Sequence, residues 1–260
     1  MILKLIKSID NFLITIFPVF YLGLTRDQSS NDRFIFGSNL INKYKKSNNL
    51  KVLDAGCGSG NFFAYLNSYN KEIDYTGIEF SLTKIGLSKF KKKNSKIHYY
   101  DLRKPWNYGE FDFVWSSEVI EHILDDNSFF QKLVISTKKD GYIIITSPHY
   151  DGYMNFAKKF DWPTIPSKVE DGGHVKIGYT ENELENFSKK FNLDLIDIFF
   201  ITECDDFRAK NLNNFNGGIK CLLFNLLYKV KILNYKKYVP RNQADDKLKY
   251  HCIGGVFKKK

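Results

Sequence analysis

At 260 residues, the chain has the length of one large α/β domain with extensions, and its 43% hydrophobic and 16% aromatic content exclude a largely disordered protein. Its four cysteines (Cys57, Cys204, Cys221 and Cys252) lie far apart without a CxxC pair, which argues against a disulfide scaffold or a cysteine zinc site and favours a reducing cytoplasm. The net charge of +10 suits nucleic acid, an anionic membrane or an acidic substrate, and by itself it selects none of them.

The first 24 residues carry apolar side chains at three- and four-residue steps, with polar side chains on the opposite helical face. The uninterrupted apolar part, 12–24, is too short to span a bilayer and contains Pro18. Asp10 precedes it and no small-residue cleavage site follows it, which argues against a signal peptide. Residues 1–35 are predicted to be an amphipathic helix or cap that packs on the domain, and an interfacial membrane helix is the alternative.

From residue 50 onward, short apolar segments alternate with longer amphipathic ones, which is typical of βαβ units. Right-handed crossovers between these units predict a doubly wound, mostly parallel sheet. Thr180 and Glu183 form a capping-box signal at the start of one helix. The predicted strands are 50–55, 73–79, 96–100, 111–116, 141–146, 193–202 and 250–257, and the predicted helices are 60–69, 81–93, 126–138 and 181–190.

A long irregular stretch separates the last two predicted strands. It contains an apolar run at 219–233 and is interpreted as a helical insert covering about 205–245. The α/β domain is therefore predicted over residues 36–260, with this insert before its last strand.

The first predicted strand runs into a glycine-rich turn, which then leads into a helix. Glycine permits positive φ and a close approach of a ligand to the backbone, and the helix N-terminus offers unpaired N–H groups. Many nucleotide-binding folds use such a turn, and a tight turn without a ligand is the alternative. The candidate ligand-binding residues of the turn are Gly56, Cys57, Gly58, Gly60 and Asn61.

Two carboxylates narrow the class of ligand. Glu79 ends the next strand about twenty residues after the glycines, where an acidic side chain can accept hydrogen bonds from both hydroxyls of a ribose. Asp54 precedes a GxGxG loop rather than the GxGxxG of dinucleotide enzymes. A carboxylate there suits a ligand that carries an ammonium group, and it is a poor neighbour for a diphosphate.

Five segments in order between residues 52 and 149 carry a family resemblance: VLDAGCGSGN (52–61), YTGIEFS (75–81), YYDL (99–102), FDFVWSSEVIEHI (111–123) and DGYIIITSPH (140–149). With them the chain resembles the class I S-adenosylmethionine-dependent methyltransferase superfamily, in particular its group related to quinone-biosynthesis methyltransferases. The resemblance implies a Rossmann-like, seven-stranded sheet whose last strand runs antiparallel.

The same resemblance implies a role for each matched residue. Asp54, Gly56 and Gly58 would lie at the methionine end of the cofactor, and Glu79 on the ribose. The adenine would lie beside Phe80, with Asp101 and Leu102 completing its pocket. Ser116 and Ser117 would border the sulfonium and the methyl group.

A group of acidic residues and histidines follows the fourth predicted strand. Glu118, Glu121 and His122 have a spacing of three and four, which predicts one face of a helical turn. By resemblance His174 joins them, because HVKIGYTENEL (174–184) is similar to a segment of metal-dependent members, which include small-RNA 2′-O-methyltransferases and some quinone O-methyltransferases. Two carboxylates and two imidazoles would suit Mg²⁺ or Mn²⁺ bound to the acceptor hydroxyls.

Two alternatives to a metal site stay open. His122 or His174 acts as a metal-free base, with Glu121 as a further catalytic candidate, or the Glu-His pair is a structural hydrogen-bonding pair. His149, after the fifth strand, is another candidate pocket residue.

Three functions are compatible with these patterns. The leading hypothesis is a cytoplasmic methyltransferase acting on a small molecule or a cell-envelope intermediate, such as a sugar or lipid-linked glycan, with a hydroxyl as the expected acceptor. Residues 1–24 and 219–233 would give it peripheral contact with the inner face of the membrane. A metal-dependent RNA 2′-O-methyltransferase ranks lower because no RNA-binding module accompanies the domain. A catalytically silent S-adenosylmethionine-binding scaffold is disfavoured because the cofactor residues are all present.

Overall fold

The computed structural model describes residues 28–46, 49–69, 72–82, 95–170, 172–206, 209 and 236–260. The N-terminal segment 1–24 and the apolar run 219–233 lie outside these residues, as does nearly all of the predicted helix 81–93. The expectations about them stay predictions.

The described part of the chain contains five α-helices and eight strands. The helices are α1 (Gln28–Tyr44), α2 (Asn61–Tyr69), α3 (Asp126–Ile135), α4 (Tyr150–Phe160) and α5 (Glu181–Lys190). The strands are β1 (Leu50–Ala55), β2 (Ile73–Glu79), β3 (Ser95–Tyr99), β4 (Phe111–Ser117), β5 (Thr137–Pro148), β6 (Leu193–Glu203), β7 (Tyr238–Pro240) and β8 (Tyr250–Lys259).

One sheet joins the strands in the order β3-β2-β1-β4-β5-β8-β6-β7. The strands from β3 to β5 in that order are parallel to their neighbours, and β8 is antiparallel to both β5 and β6. This confirms the doubly wound, mostly parallel sheet and its antiparallel final strand. The sheet has eight strands rather than the predicted seven, because β7 pairs with β6 inside the stretch interpreted as an insert. A three-residue strand is too short to show a period of two in the sequence.

The helix predicted at 126–138 is shorter than expected. It begins after Asp125, whose carboxylate accepts a hydrogen bond from the Ser128 N–H at 2.9 Å, and it ends at Ile135. Thr137 already pairs with Phe111 in the sheet, so β5 begins four residues before its predicted start. The start of β5 was not predicted because the polar residues at 138–140 lack the alternation of apolar and polar side chains that indicates a strand.

Two helices, α1 and α4, were not predicted. Helix α1 runs through residue 35 without a break, so a core helix begins within the stretch interpreted as an N-terminal extension. Its Phe36 is fully buried, and a Cβ added at Gly37 would lie 2.6 Å from the Trp115 ring of β4. Glycine thus allows α1 to pack closely on the sheet.

Aromatic side chains fill the space on both faces of the sheet. Phe62 of α2 stacks on Trp115 with ring centroids 4.4 Å apart, and Phe130 of α3 stacks on Phe187 of α5 at the same separation. In a sheet with both faces covered, a ligand crevice is expected at the carboxyl ends of the strands, here those of β1, β2, β4 and β5. The strand order reverses between β1 and β4, which is where open α/β sheets bind their ligands.

Among the described residues, no helix has both the length and the apolar character needed to cross a bilayer.

Candidate active site

The glycine-rich turn between β1 and α2 has the backbone conformation that its glycines predict. Gly56, Gly58 and Gly60 all have positive φ, at 92°, 54° and 76°. A Cβ at Gly56 would lie 2.2 Å from the Val119 side chain, whereas a Cβ at Gly58 would have no protein atom within 4 Å. The turn is therefore fitted against the loop after β4 at Gly56 and has open space beside it at Gly58.

Backbone hydrogen bonds hold the turn between β1 and α2 in place. The N–H groups of Gly56 and Cys57 both donate to the carbonyl of Ile78 in β2, at 2.8 and 3.0 Å, and the Gly60 N–H donates to the Cys57 carbonyl at 2.9 Å. Asn61 is the first residue of α2, so the N-terminal end of that helix lies at the predicted cofactor turn.

Glu79 connects the end of β2 to this turn. Its Oε2 accepts a hydrogen bond from the Gly58 N–H at 2.8 Å, and its Oε1 accepts one from the Ser81 N–H at 2.7 Å. The residue is 7% exposed, so the carboxylate is held in one orientation at the edge of the crevice.

Asp54 lies deeper in the protein than Glu79. It is 2% exposed, and its Oδ2 accepts a hydrogen bond from the Tyr75 hydroxyl at 2.6 Å. Burial raises the pKa of Asp54 to about 7; the Tyr75 hydrogen bond opposes this rise and the charge of Glu79 adds to it. Burial also raises the pKa of the neighbouring Cys57 thiol, with further contributions from both carboxylates. Asp54 thus sits beneath the turn, with Tyr75 as the partner of one of its oxygens.

The predicted adenine side of the crevice is half open. Phe80 is 53% exposed and lies nearly parallel to the Tyr99 ring, with centroids 6.1 Å apart, while Leu102 is buried. The carboxylate of Asp101 accepts hydrogen bonds from Arg103, whose charge and donors lower the pKa of Asp101. At the place predicted for the adenine, the exposed apolar surface is therefore the Phe80 ring, and Asp101 presents a carboxylate that is already paired with Arg103.

The two serines predicted beside the methyl group end β4. Ser116 is buried, and its hydroxyl donates to the Ala55 carbonyl at 2.9 Å, which fixes β4 to the start of the glycine turn. The Ser117 hydroxyl lies 2.8 Å from the hydroxyl of Thr146 in β5.

Three of the four candidate metal or base residues come together after β4. Ligand atoms of Glu121, His122 and His174 all lie within 4.8 Å of one another. The two imidazole rings meet edge to face, with centroids 4.7 Å apart, and His122 Nδ1 lies 2.9 Å from the Gly173 carbonyl. His174 reaches this place on the loop between α4 and α5, fifty-two positions later in the chain.

The fourth candidate, Glu118, is outside this group. The chain forms a short 3₁₀ turn at Ile120–His122 rather than an α-helical turn, and Glu118 precedes it with a φ of 55°. This left-handed conformation turns its side chain away from the face that its spacing predicted. Its carboxylate instead lies 3.7 Å from the Arg33 guanidinium of α1 and 3.4 Å from the Thr146 hydroxyl.

Glu121 is fully buried, and neither of its carboxylate oxygens has a hydrogen-bond partner among the described residues. Burial raises the pKa of Glu121 well above its usual value and the charge of Glu118 adds to this rise, whereas its backbone N–H, the charge of Arg33 and the nearby Ser147 hydroxyl oppose it. Burial and the neighbouring His122 lower the pKa of His174. A buried carboxylate without donors and a neutral imidazole are groups that can take up a proton or bind a cation.

His149, the other candidate pocket residue, is 1% exposed. Its Nδ1 lies 3.3 Å from the Tyr250 carbonyl of β8, and its ring packs edge to face on Phe200 of β6. Burial lowers the pKa of its imidazole. It is therefore a packed interior residue at the start of α4.

Sequence reasoning missed Arg33, which lies in the site region but belongs to α1. It is 8% exposed, and its guanidinium donates to Ser30 and to the Cys252 sulfur in addition to its approach to Glu118. Asn31 and Asp32 beside it are also buried, and they bond to the hydroxyls of Tyr65 and Thr202. Three consecutive polar residues suggest a helix surface, and no local signal shows that they are buried.

The chain matches the family model described as a methyltransferase domain over residues 32–198. It is 27% identical to a ubiquinone biosynthesis O-methyltransferase of Bartonella tribocorum, in a match that covers 59% of this chain and 64% of that protein. It is 25% identical to a malonyl-[acyl-carrier protein] O-methyltransferase of Buchnera aphidicola, covering 86% of this chain and 89% of the relative.

Solved structures share the fold. The methyltransferase domain of bacterial CtHen1 has a TM-score of 0.52 at 16% identity, covering 88% of this chain and 98% of the other. The plantazolicin methyltransferase BpumL in complex with SAH has a TM-score of 0.53 at 16% identity, covering 99% of this chain and 90% of the other. Together with the family match over more than half of the chain, these similarities identify the protein as a member of the class I S-adenosylmethionine-dependent methyltransferase family.

Proposed function

We propose that this enzyme transfers a methyl group to a hydroxyl of a small-molecule or cell-envelope acceptor, such as a sugar or a lipid-linked glycan. The observation that carries the proposal is the meeting of Glu121 and His122 with His174. Glu121 and His122 follow β4, the strand that ends with the serines predicted to border the methyl group. A hydroxyl must lose its proton as it is methylated, and this cluster offers groups that can accept it.

The cofactor would lie along the crevice, with its methionine end at Gly56 and Gly58, its ribose on Glu79 and its adenine beside Phe80. S-adenosylmethionine supplies a methyl group on a positively charged sulfur. The protein's task is to align the acceptor oxygen with that methyl group, and such alignment can contribute several kcal/mol, on the order of 7, to lowering the barrier.

His174 is the favoured proton acceptor. Its lowered pKa keeps the imidazole neutral near pH 7, so that it can take up the proton of the acceptor hydroxyl. His122 lies against it, and Glu121 lies behind His122 with 4.0 Å between Oε1 and Nε2. A base in this position typically contributes about a hundred- to ten-thousand-fold to the rate.

The same three residues fit a divalent cation. Two imidazoles and a carboxylate without hydrogen-bond donors form a mixed nitrogen and oxygen donor set that suits Mn²⁺ or Mg²⁺. A cation held there would lower the proton affinity of a bound hydroxyl. Titration of the protein with MnCl₂ in a calorimeter tests this version: the wild type should bind about one equivalent, and H174Q should lose most of the affinity.

The names of the curated relatives agree with an oxygen acceptor. Two are O-methyltransferases, one of ubiquinone biosynthesis and one acting on malonyl-acyl carrier protein. Those acceptors belong to the relatives, and their names favour oxygen over nitrogen or carbon as the acceptor atom.

The activity test is to incubate the purified protein and methyl-labelled cofactor with metabolite, glycan and RNA fractions, with and without a chelator. Label should enter the metabolite or glycan fraction, and H122Q and H174Q should lose most of it. The matched control is H98Q, since His98 is on β3 and stacks on Tyr108 away from the cluster. Full activity of both cluster variants would contradict the proposed proton acceptor.

The lipid-linked version of this function has its own test. Removal of residues 1–24 should reduce binding of the protein to anionic liposomes, because the segment combines an apolar stripe with lysines. Unchanged partitioning would leave a water-soluble acceptor as the better proposal.

A second candidate is an RNA 2′-O-methyltransferase. The basic charge and the similarity of residues 174–184 to a segment of small-RNA methyltransferases favour it. It requires that the RNA fraction takes up label, and that RNA affinity falls steeply as salt is raised from about 50 to 200 mM.

A further inference from the structure

The loop at 161–178, between α4 and α5, reaches two different parts of the crevice. At one end of it His174 meets His122, and we call these two residues together with Glu121 the acceptor wall. This end is also held by backbone hydrogen bonds, because the N–H groups of Val175 and Lys176 donate to the Glu121 carbonyl at 2.9 and 3.1 Å. Four residues before His174, Glu170 makes a separate set of contacts.

Glu170 connects three loops through one carboxylate. Its Oε1 accepts a hydrogen bond from the Leu124 N–H at 2.7 Å, in the loop after β4. Its Oε2 lies 3.2 Å from Arg103 Nη1, in the loop after β3. The carboxylate therefore fastens the loop at 161–178 to the side of the crevice predicted to hold the adenine.

Arg103 carries this connection into the predicted adenine pocket. Its Nε and Nη2 each lie 2.8 Å from a different carboxylate oxygen of Asp101, which is the two-pronged geometry of a strong arginine–carboxylate pair. Its guanidinium carbon is 5.4 Å from the centre of the Phe80 ring, within the range of a cation–π contact. One guanidinium thus contacts two residues predicted to hold the adenine and also Glu170.

We propose that Arg103 and Glu170 are positioning residues that couple the cofactor pocket to the acceptor wall. A base placed against Phe80 and Asp101 restricts Arg103, Arg103 holds Glu170, and Glu170 fixes the loop that presents His174 to His122. Binding of the cofactor then orders the acceptor wall before the acceptor arrives. This inference rests on the proposed placement of the cofactor, and it concerns neither the metal nor the identity of the acceptor.

Amide hydrogen exchange with and without SAH tests the coupling. In the wild type, SAH should slow exchange both at 54–60 and in the loop at 161–178. In E170Q the amide still accepts the Leu124 N–H but no longer attracts Arg103. In this variant we expect SAH still to protect the amides of 54–60, whereas the loop at 161–178 should lose its SAH-induced protection. The affinity for SAH should fall by about threefold, because a partly exposed ion pair contributes little free energy.

E185Q is the matched control, because Glu185 of α5 also pairs with an arginine, Arg241, at 2.6 Å. It should keep the wild-type response of the loop. R103K is a second variant and should behave as E170Q does, since an ammonium cannot hold Asp101 with two parallel bonds and reach Glu170 as well.

Two results would overturn the proposal. SAH protection of the loop in E170Q equal to that in the wild type shows that Glu170 does not transmit the effect. Wild-type protection at 54–60 without any in the loop shows that the two sites are not coupled. If SAH leaves 54–60 unprotected in the wild type, the placement of the cofactor fails, and the coupling fails with it.

Discussion

The Glu79 carboxylate accepts a hydrogen bond from the Gly58 N–H, with 2.8 Å between Oε2 and N. The residue that ends β2 thereby sets the shape of the turn that follows β1. Its other oxygen accepts the Ser81 N–H at 2.7 Å, so the same side chain also sets the start of the segment after β2. A ribose that binds Glu79 meets a carboxylate already oriented by two backbone donors.

Replacement of Glu79 by alanine should weaken SAH binding by about tenfold to a hundredfold, because hydrogen bonds to a charged group contribute about 1.5–3 kcal/mol. Calorimetric titration with SAH measures the change. Glu185→Ala, on the solvent side of α5, provides the control and should bind as the wild type does. Equal SAH affinities of Glu79→Ala and the wild type would show that the ribose does not bind this carboxylate.

Two glycine-to-alanine variants, Gly56→Ala and Gly109→Ala, distinguish the cost of backbone strain from the cost of steric overlap. Gly56 and Gly109 share a φ of 92°, but a Cβ at Gly56 would lie 2.2 Å from Val119, whereas at Gly109 nothing is within 4 Å. Gly109→Ala should cost about 1–2 kcal/mol of unfolding free energy from strain alone, and Gly56→Ala about 1–3 kcal/mol more. Urea denaturation measures both values. Similar losses for the two variants would mean that the Val119 contact relaxes freely.

Gly58→Ala should act mainly on the cofactor. Its added Cβ meets no protein atom within 4 Å, so the loss of stability should stay close to that of Gly109→Ala. SAH affinity should fall by about fivefold or more if the ligand lies against this backbone, since steric overlap costs about 1–3 kcal/mol. Unaltered SAH affinity would place the cofactor elsewhere along the turn.

Asp54 should make the protein less stable as the pH rises. Its pKa is about 7 in the folded protein and near 3.8 when unfolded, so between these values the folded state holds a proton that the unfolded state has lost. The stabilisation is complete below pH 3.8, declines up to about pH 7 and then levels off. Asp54→Asn keeps an acceptor for the Tyr75 hydroxyl and should flatten this decline. Urea denaturation across that pH range tests it, and an unchanged slope would contradict the assignment.

Phe80 should matter for binding and little for folding, because its ring is 53% exposed. Stacking of a base on an aromatic side chain contributes about 1–3 kcal/mol, so Phe80→Ala should reduce SAH affinity by about fivefold or more. Thermal unfolding without ligand should change little, as for the control Ile135→Ala, whose side chain is 61% exposed at the end of α3. A large loss of stability without loss of affinity would make Phe80 a structural residue.

Local patterns predicted much of the fold. The bounds of β1 and β2 agree with the prediction to the residue, because each begins with apolar residues at alternate positions, Leu50 and Val52 in β1 and Ile73 and Tyr75 in β2. The helix Glu181–Lys190 also agrees, since Thr180 and Glu183 form the capping box that marks its start. In these segments the signal lies within a few neighbouring residues, where a single sequence can show it.

The parts that were missed depend on distant contacts. Arg33 and Glu118 are eighty-five positions apart, and Glu118 leaves the predicted helical face because its backbone adopts a left-handed conformation. Arg103 and Glu170 are separated by 67 positions without any motif that links them. Spacing predicted one helical face for Glu118, Glu121 and His122, of which Glu121 and His122 belong to the observed cluster. The approach of His174 was inferred from family resemblance, since no local pattern leads to it.

The position of β8 in the sheet bears on how the polypeptide folds during synthesis. β8 lies between β5 and β6, yet it comes later in the chain than both. The five parallel strands can assemble on the ribosome as soon as β5 has emerged. β6 has no place beside them until β8 is available, so β6 must wait with an unpaired edge, which favours aggregation. We therefore expect the nascent protein to be most prone to aggregation between the emergence of β6 and the emergence of β8 from the ribosome.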